Sequence, residues 1–169
     1  MILTDPYHRR LSYLRLSVTD LCNYRCNYCL PDGYQGKAKN DELSLLEIDT
    51  LVQAFAQSGT RKIRDLADII ALCRLQQGIE EVALTTNGYR LAKLFPQYQQ
   101  AGLNKINISL DSFQPDIFQR ITGKNECLNI LQAIDGLLAN GVNNIKINTL
   151  LLKENQHNIL QDTLHFIRT

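Results

Sequence analysis

Short runs of alternating apolar and polar residues, followed by stretches with apolar residues at helical spacing, constrain this chain more than any other feature. Tyr13 to Val18, Thr60 to Arg64, Glu81 to Thr85, Lys105 to Leu110 and Ile145 to Leu152 read as strands. Between them, Ser44-Leu45-Leu46-Glu47 is a capping box. Behind it Ile48, Leu51, Val52 and Phe55 form a helical stripe that Gly59 ends. Asp65 is placed to cap a helix carrying Leu66, Ile69, Ile70 and Cys73, closed by Gly78. Tyr89 to Gln100 reads as a helix that Pro96 interrupts. A short helix over Pro115 to Ile121, a longer one over Glu126 to Ala139 stopped by Gly141, and a last one over Asn158 to Ile167 complete the pattern. Five strand–helix units in succession call for a parallel sheet with right-handed crossovers, either an open doubly wound sheet or part of a (β/α) barrel.

The strand faces choose between these. A parallel strand covered on both sides reads as continuously apolar, whereas here Leu14, Leu16 and Val18 alternate with Arg15 and Ser17. Ile106, Ile108 and Leu110 alternate with Lys105, Asn107 and Ser109, and Ile145 and Ile147 with Lys146 and Asn148. Ile63 stands between Lys62 and Arg64, and the alternation is weakest in the third strand. An antiparallel sheet with one wet face would alternate too, but the intervening helices argue against it. Polar faces turned inward would line the lumen of a partly open barrel. Cations there are costly unless a ligand compensates them, and an anionic ligand such as a nucleotide triphosphate would pair with Arg15, Arg64 and Lys146. The expected fold is an α/β, partial (β/α) barrel of about five βα units, one domain over residues 1–169.

Charge and hydropathy narrow the function. A net charge of +1 creates no field that would draw nucleic acid or a membrane surface, and neither is expected as a partner. No apolar run approaches the length of a membrane span, and the first residues do not read as a signal peptide. The cysteines bring in the chemistry. Cys22, Cys26 and Cys29 lie in one short stretch after the first strand, spaced Cys-x3-Cys-x2-Cys. Thiolates so placed can converge on a soft metal centre. A structural zinc wants four ligands, and neither His8 nor Cys73 has the spacing to supply the fourth. A [4Fe–4S] cluster on three cysteines leaves one iron open to a small molecule. Disulfide pairing is disfavoured by an odd total of five cysteines, and a core-thiol reading by the polar residues Asn23, Arg25 and Asn27 between them. Cys73 and Cys127, on apolar helix stripes, read as buried small hydrophobes. An oxygen-sensitive thiolate site points to the reducing cytoplasm.

The Cys-x3-Cys-x-Tyr-Cys loop after a strand resembles the radical S-adenosylmethionine (radical SAM) superfamily. Leu14-Arg15-Leu16-Ser17-Val18-Thr19-Asp20-Leu21-Cys22 and Tyr28-Cys29-Leu30-Pro31-Asp32-Gly33 are similar to one member family, the GTP 3′,8-cyclases (protein A) of molybdenum cofactor biosynthesis. Thr85-Thr86-Asn87-Gly88, Asn107-Ile108-Ser109-Leu110-Asp111-Ser112 and Ile121-Thr122-Gly123 match the same family in order. The resemblance implies a barrel of the radical SAM type and a lyase that converts GTP to 3′,8-cyclo-7,8-dihydro-GTP through a 5′-deoxyadenosyl radical. It implies a [4Fe–4S] cluster on Cys22, Cys26 and Cys29, with S-adenosylmethionine contacted by Tyr28 and Ser109. It implies GTP contacts from Arg15, Arg64, Thr85 and Lys146, and an electron donor such as flavodoxin or ferredoxin. A homodimer stays open.

Two departures set expectations for activity. The family's Gly-Gly-Glu-Pro loop, which holds the amino group of S-adenosylmethionine, has no counterpart here, because Arg64 runs straight into Asp65. That omits about ten residues where βα loops usually take roughly 2–6. The family's second cysteine triplet, C-terminal and facing the guanine, is also missing, so the chain reads as a shortened N-terminal core. The cyclase reading therefore competes with an inactive iron–sulfur-binding remnant and, more distantly, with a zinc-stabilised structural module. The expectation is that this chain alone does not convert GTP.

Overall fold

A computed structural model describes residues 4–10, 12–17, 21–36, 43–58, 62–63 and 67–168, with backbone alone at 62, 63 and 168. Along the chain come α1 (Leu45–Gln57), β1 (Lys62–Ile63), α2 (Ala67–Leu75), β2 (Glu81–Thr86), α3 (Leu91–Gln100), β3 (Lys105–Ser109), α4 (Pro115–Thr122), α5 (Cys127–Ala139), β4 (Ile145–Asn148) and α6 (Ile159–Arg168). The chain gathers into two compact units, the first from 1–20, 39–85 and 93–107, the second from 21–38, 86–92 and 108–169.

In the first unit β1 pairs with β2 in parallel, Lys62 opposite Glu81 and Ile63 opposite Val82, and β3 begins as the next strand over. Here α1 starts as its residues dictate. The Ser44 hydroxyl accepts the Glu47 N–H, and the Glu47 carboxylate accepts the Ser44 N–H at 2.8 Å. Two of the donors that a helix start leaves unpaired are thereby satisfied. Ile48 and Val52 of α1 and Ile69, Ile70 and Cys73 of α2 are buried, and α1 lies against α2. Asn104 ties the start of β3 to the start of β2, accepting from Val82 N at 2.9 Å and donating to Glu80 O at 3.1 Å.

In the second unit β3 ends beside β4, and the ladder closes with Leu110 N donating to Asn148 O at 3.0 Å. Pro115 opens α4, where its missing N–H costs nothing. Gly123 closes it in the left-handed conformation at φ 70°, its N–H on Gln119 O. The core holds Phe118, Ile121, Ile130, Ile134 and Leu137 from α4 and α5, with Ile108, Leu110 and Tyr24.

Several expectations need correcting. Tyr13 makes only an isolated bridge and residues 14–17 carry no ladder, while Val18 lies outside the described residues. Leu14 and Leu16 are half-buried and Arg15 and Ser17 exposed, so the alternation set sidedness, but a strand also needs a partner backbone. Four strands are therefore described rather than five. The fourth, β4, stops at Asn148 instead of running to Leu152, because the Thr149 hydroxyl and the Leu150 N–H turn to Leu110 O and the Asp111 carboxylate. Pro96 does not interrupt α3, which runs through it to Gln100. The helix starts two residues later than expected, after Thr86 Oγ1 and Asn87 Oδ1 accept the Gly88 and Tyr89 N–H groups and build a turn. In β2, where the alternation is weakest, both faces are covered. Val82, Ala83 and Leu84 are buried in succession, and Asn107 is 1% exposed. The second strand is described only over Lys62–Ile63, and the junction of Arg64 with Asp65, like Gly59, lies outside the described residues.

Candidate functional site

The cysteine loop belongs to the second unit, and the end of α4 holds it. A helix leaves its last carbonyls without intrahelical donors. Here Ile121 O accepts the Asn27 N–H at 3.0 Å and Thr122 O the Arg25 N–H at 2.9 Å, which fixes the backbone between Cys22 and Cys29. Tyr24 is the loop's one inward residue, 3% exposed. Its ring stands edge-on to Phe118 and Tyr89, and its hydroxyl reaches Asn87 O at 3.3 Å. Asn87 in turn donates from Nδ2 to Asn23 Oδ1 at 2.8 Å, so the Asn-Gly turn after β2 receives the loop. Beyond Cys26 the chain tightens, because Cys26 O accepts both the Cys29 and the Leu30 N–H.

None of the five cysteines is in a disulfide; Cys22 and Cys26 are half-buried and Cys29 is exposed. Burial raises the pKa of the Cys26 thiol, the Tyr28 hydroxyl opposes that shift, and the charges of Asp111, Cys22 and Cys29 add to it. The Cys26 thiol is thus within electrostatic reach of both Cys22 and Cys29. They are not drawn into a closed cage: among the described residues no three His, Cys, Asp or Glu side chains gather closely enough to hold a metal ion. The donor set nonetheless suits an iron–sulfur cluster. It offers three soft ligands on an anchored backbone, at the surface or half-buried, and loading them requires thiol deprotonation and side-chain rotation.

Tyr28 is 45% exposed, and its hydroxyl donates to Asp111 Oδ2 at 2.6 Å. Burial first, then the carboxylate of Asp111, pushes its pKa up, so the hydroxyl keeps its proton. Ser109, exposed at the end of β3, and Lys146, exposed on β4, lie in the same unit. Arg15 is exposed in the first unit. Thr85 is half-buried there and accepts from Asn107 Nδ2 at 3.5 Å. Arg64 lies outside the described residues, so the expected convergence of Arg15, Arg64 and Lys146 gains no support. Cys73 and Cys127 are buried as core thiols; burial pushes Cys127 up to about 11.

Sequence reasoning passed over Asp111 and Asn155 as site residues. Asp111 stands inside the matched string Asn107-Ile108-Ser109-Leu110-Asp111-Ser112, and a carboxylate directly after Leu110 at a strand end was a usable signal. Asn155, in the polar stretch Lys153-Glu154-Asn155-Gln156, carried none. Both are buried.

The sequence signature of the Radical SAM superfamily matches residues 16–167. Curated relatives include the GTP 3′,8-cyclase of Vibrio vulnificus (strain YJ016), 45% identical over 97% of this chain and 53% of the relative. The GTP 3′,8-cyclase of Shewanella denitrificans is also 45% identical, over 98% of this chain and 52% of its own length. The chain thus spans about half the length of the curated relatives it matches. Among solved structures, histidine-tagged anSMEcpe with bound AdoMet superposes with a TM-score of 0.67 at 15% identity, over 94% of this chain and 48% of that one. HydG, a maturase of the [FeFe]-hydrogenase, gives 0.65 at 14% identity, over 82% of this chain and 34% of that one. At such identities these two speak for the fold alone, an α/β partial barrel of the radical SAM type.

Proposed function

We propose that this chain, which belongs to the radical SAM superfamily, provides the cluster-binding and S-adenosylmethionine-binding core of a GTP 3′,8-cyclase of molybdenum cofactor biosynthesis. The observation that carries this is the Cys22–Cys29 loop, anchored on the end of α4, in a chain 45% identical to GTP 3′,8-cyclases over nearly all its length. Proteins of the superfamily use a [4Fe–4S] cluster and S-adenosylmethionine. When bound, the two would supply a 5′-deoxyadenosyl radical able to take a hydrogen atom from the ribose C3′ of GTP.

In this reading Cys22, Cys26 and Cys29 hold the cluster, while Tyr28 and Ser109 contact S-adenosylmethionine. Arg15, Arg64 and Lys146 pair with the triphosphate through charge-assisted hydrogen bonds, and Thr85 contacts the nucleotide. The anchored loop fixes where the thiols stand, which matters because a misplacement of about 1 Å can cost roughly a hundredfold in rate. Reduction draws on a flavodoxin- or ferredoxin-type donor in the cytoplasm. Among the described residues no helix is long and apolar enough to cross a membrane.

The alignment with the Vibrio protein runs over 176 positions against 169 residues here, so some positions of the relative have no counterpart in this chain. That supports a domain lacking the segment between Arg64 and Asp65. It also favours a second reading, a catalytically inactive iron–sulfur-binding remnant of this family. Anaerobic reconstitution with iron and sulfide, followed by an assay for 5′-deoxyadenosine, separates the two. Cluster uptake that is lost in Cys26→Ala, together with cleavage of S-adenosylmethionine, supports the enzyme. Uptake without cleavage, with cleavage restored by a Gly-Gly-Glu-Pro segment inserted after Arg64, supports the remnant. Zinc bound without sulfide overturns both.

A further inference from the structure

We infer that Asp111 is a positioning residue for the cysteine loop: its carboxylate ties Tyr28 to the segment after β4 and so sets the Tyr28 ring for S-adenosylmethionine, a role that rests on the function proposed above. Asp111 is 6% exposed, and a buried carboxylate is tolerated only with donors on its oxygens. Its two oxygens are divided between two distant segments. Oδ2 accepts the Tyr28 hydroxyl at 2.6 Å, and Oδ1 accepts the Leu150 N–H at 2.9 Å. One side chain thereby joins the cysteine loop to the chain leaving β4.

That exit is itself rigidly held. Asn155, 2% exposed, donates from Nδ2 to Asp111 O at 2.5 Å and to Leu150 O at 2.8 Å. Its Oδ1 accepts the Leu152 N–H at 2.8 Å. The Thr149 hydroxyl donates to Leu110 O at 2.7 Å, and Asn27 Nδ2 on the cysteine loop donates to Glu154 Oε1 at 2.8 Å. The segment 149–155 is a fixed rail, and Asp111 is where Tyr28 fastens to it. Tyr28 stands between Cys26 and Cys29 with nearly half its surface exposed, so burial alone does not choose its rotamer. A charge-assisted hydrogen bond does, and it removes ring freedom before any cofactor arrives.

The test uses the whole chain, reconstituted with iron and sulfide and reduced. S-adenosylmethionine is titrated against the cluster's electron paramagnetic resonance signal. Tyr28→Phe deletes the hydroxyl at a half-exposed ring and leaves the buried network in place. It should keep full iron and sulfide content yet weaken S-adenosylmethionine binding several-fold, because the cost of ordering the ring then falls on binding. Asp111→Leu should weaken it as much, and the double variant no further. Asp111→Asn should bind within about twofold of the unchanged chain, since its amide can accept from Leu150 and donate to the Tyr28 oxygen. Should Tyr28→Phe bind as the unchanged chain does, or the two losses add, the role of Asp111 is overturned while the proposed function stands. If the unchanged chain takes up a cluster whose signal S-adenosylmethionine leaves unmoved, the proposed function fails and this role with it.

Discussion

The Tyr24 ring meets the Phe118 ring edge-on, centroids 5.9 Å apart and planes at 86°. It is the contact through which the cysteine loop enters the core of its unit, since Tyr24 lies between Cys22 and Cys26 and is 3% exposed. Tyr24→Ala should destabilise the fold by about 3–5 kcal/mol, the cost of deleting a buried aromatic ring. Tyr24→Phe should cost about 1 kcal/mol or less, because the hydroxyl's bond to Asn87 O is long at 3.3 Å. Thermal unfolding and iron content after reconstitution check both, with only the alanine variant losing cluster.

Gly88 sits at φ +81°, and a methyl group built there would stand 2.9 Å from Ile130 Cγ2. Ile130 is 1% exposed and has little room to retreat. Gly88→Ala should therefore cost about 1–3 kcal/mol from backbone strain and overpacking together. Ile130→Val in that background should return part of the loss, making the pair non-additive in unfolding measurements. Additive losses would show that only the backbone conformation matters.

At the start of α1, Ser44→Ala should cost about 1 kcal/mol through loss of the cap. The Glu47 carboxylate accepts from the Ser44 N–H and hydroxyl, which lowers its pKa below the ordinary 4.5. A lowered pKa means that the folded state binds this proton less readily than the unfolded one. Its contribution is present above pH 4.5 and fades as pH falls through the lower folded value. The difference in stability between wild type and Ser44→Ala should therefore narrow on acidification.

Cys127 is raised by burial from an ordinary 9.0 to about 11. The folded state therefore favours the thiol. Its contribution to stability is intact below pH 9 and lost as pH rises toward 11. Because the thiolate is the nucleophile, iodoacetamide at pH 8 should modify Cys22 and Cys29 in the folded, cluster-free chain and leave Cys127 unmodified until denaturant is added. Mass spectrometry of the digested protein reads this directly. Labelling of folded Cys127 at the rate of Cys29 would contradict its burial.

Much of this was legible in the sequence, for a local reason. The capping box of α1 involves residues three apart, so Ser44 and Glu47 announce it wherever the chain goes. The stripe Ile69, Ile70 and Cys73 likewise predicted which side of α2 is buried. The strand ends failed where the deciding group was remote. Nothing in Ile145 to Leu152 says that Asp111 captures the Leu150 N–H and ends the ladder at Asn148. Pro96 misled for a related reason, since its propensity against helix is a cost of a few kcal/mol that packing can outweigh, and Phe95 and Tyr98 beside it are buried.

The sequence by itself determined the three thiols and their spacing, the order of the helices and of the four described strands, and kinship with the radical SAM superfamily. All of these are properties of neighbours along the chain. Only the tertiary structure decided what holds the thiols. Tyr28 and Asp111 are 83 positions apart, and Asn155 finds Asp111 O across 44. Such pairs form because a buried polar group must be satisfied by whatever the fold brings beside it, and that neighbour is set by the path of the whole chain.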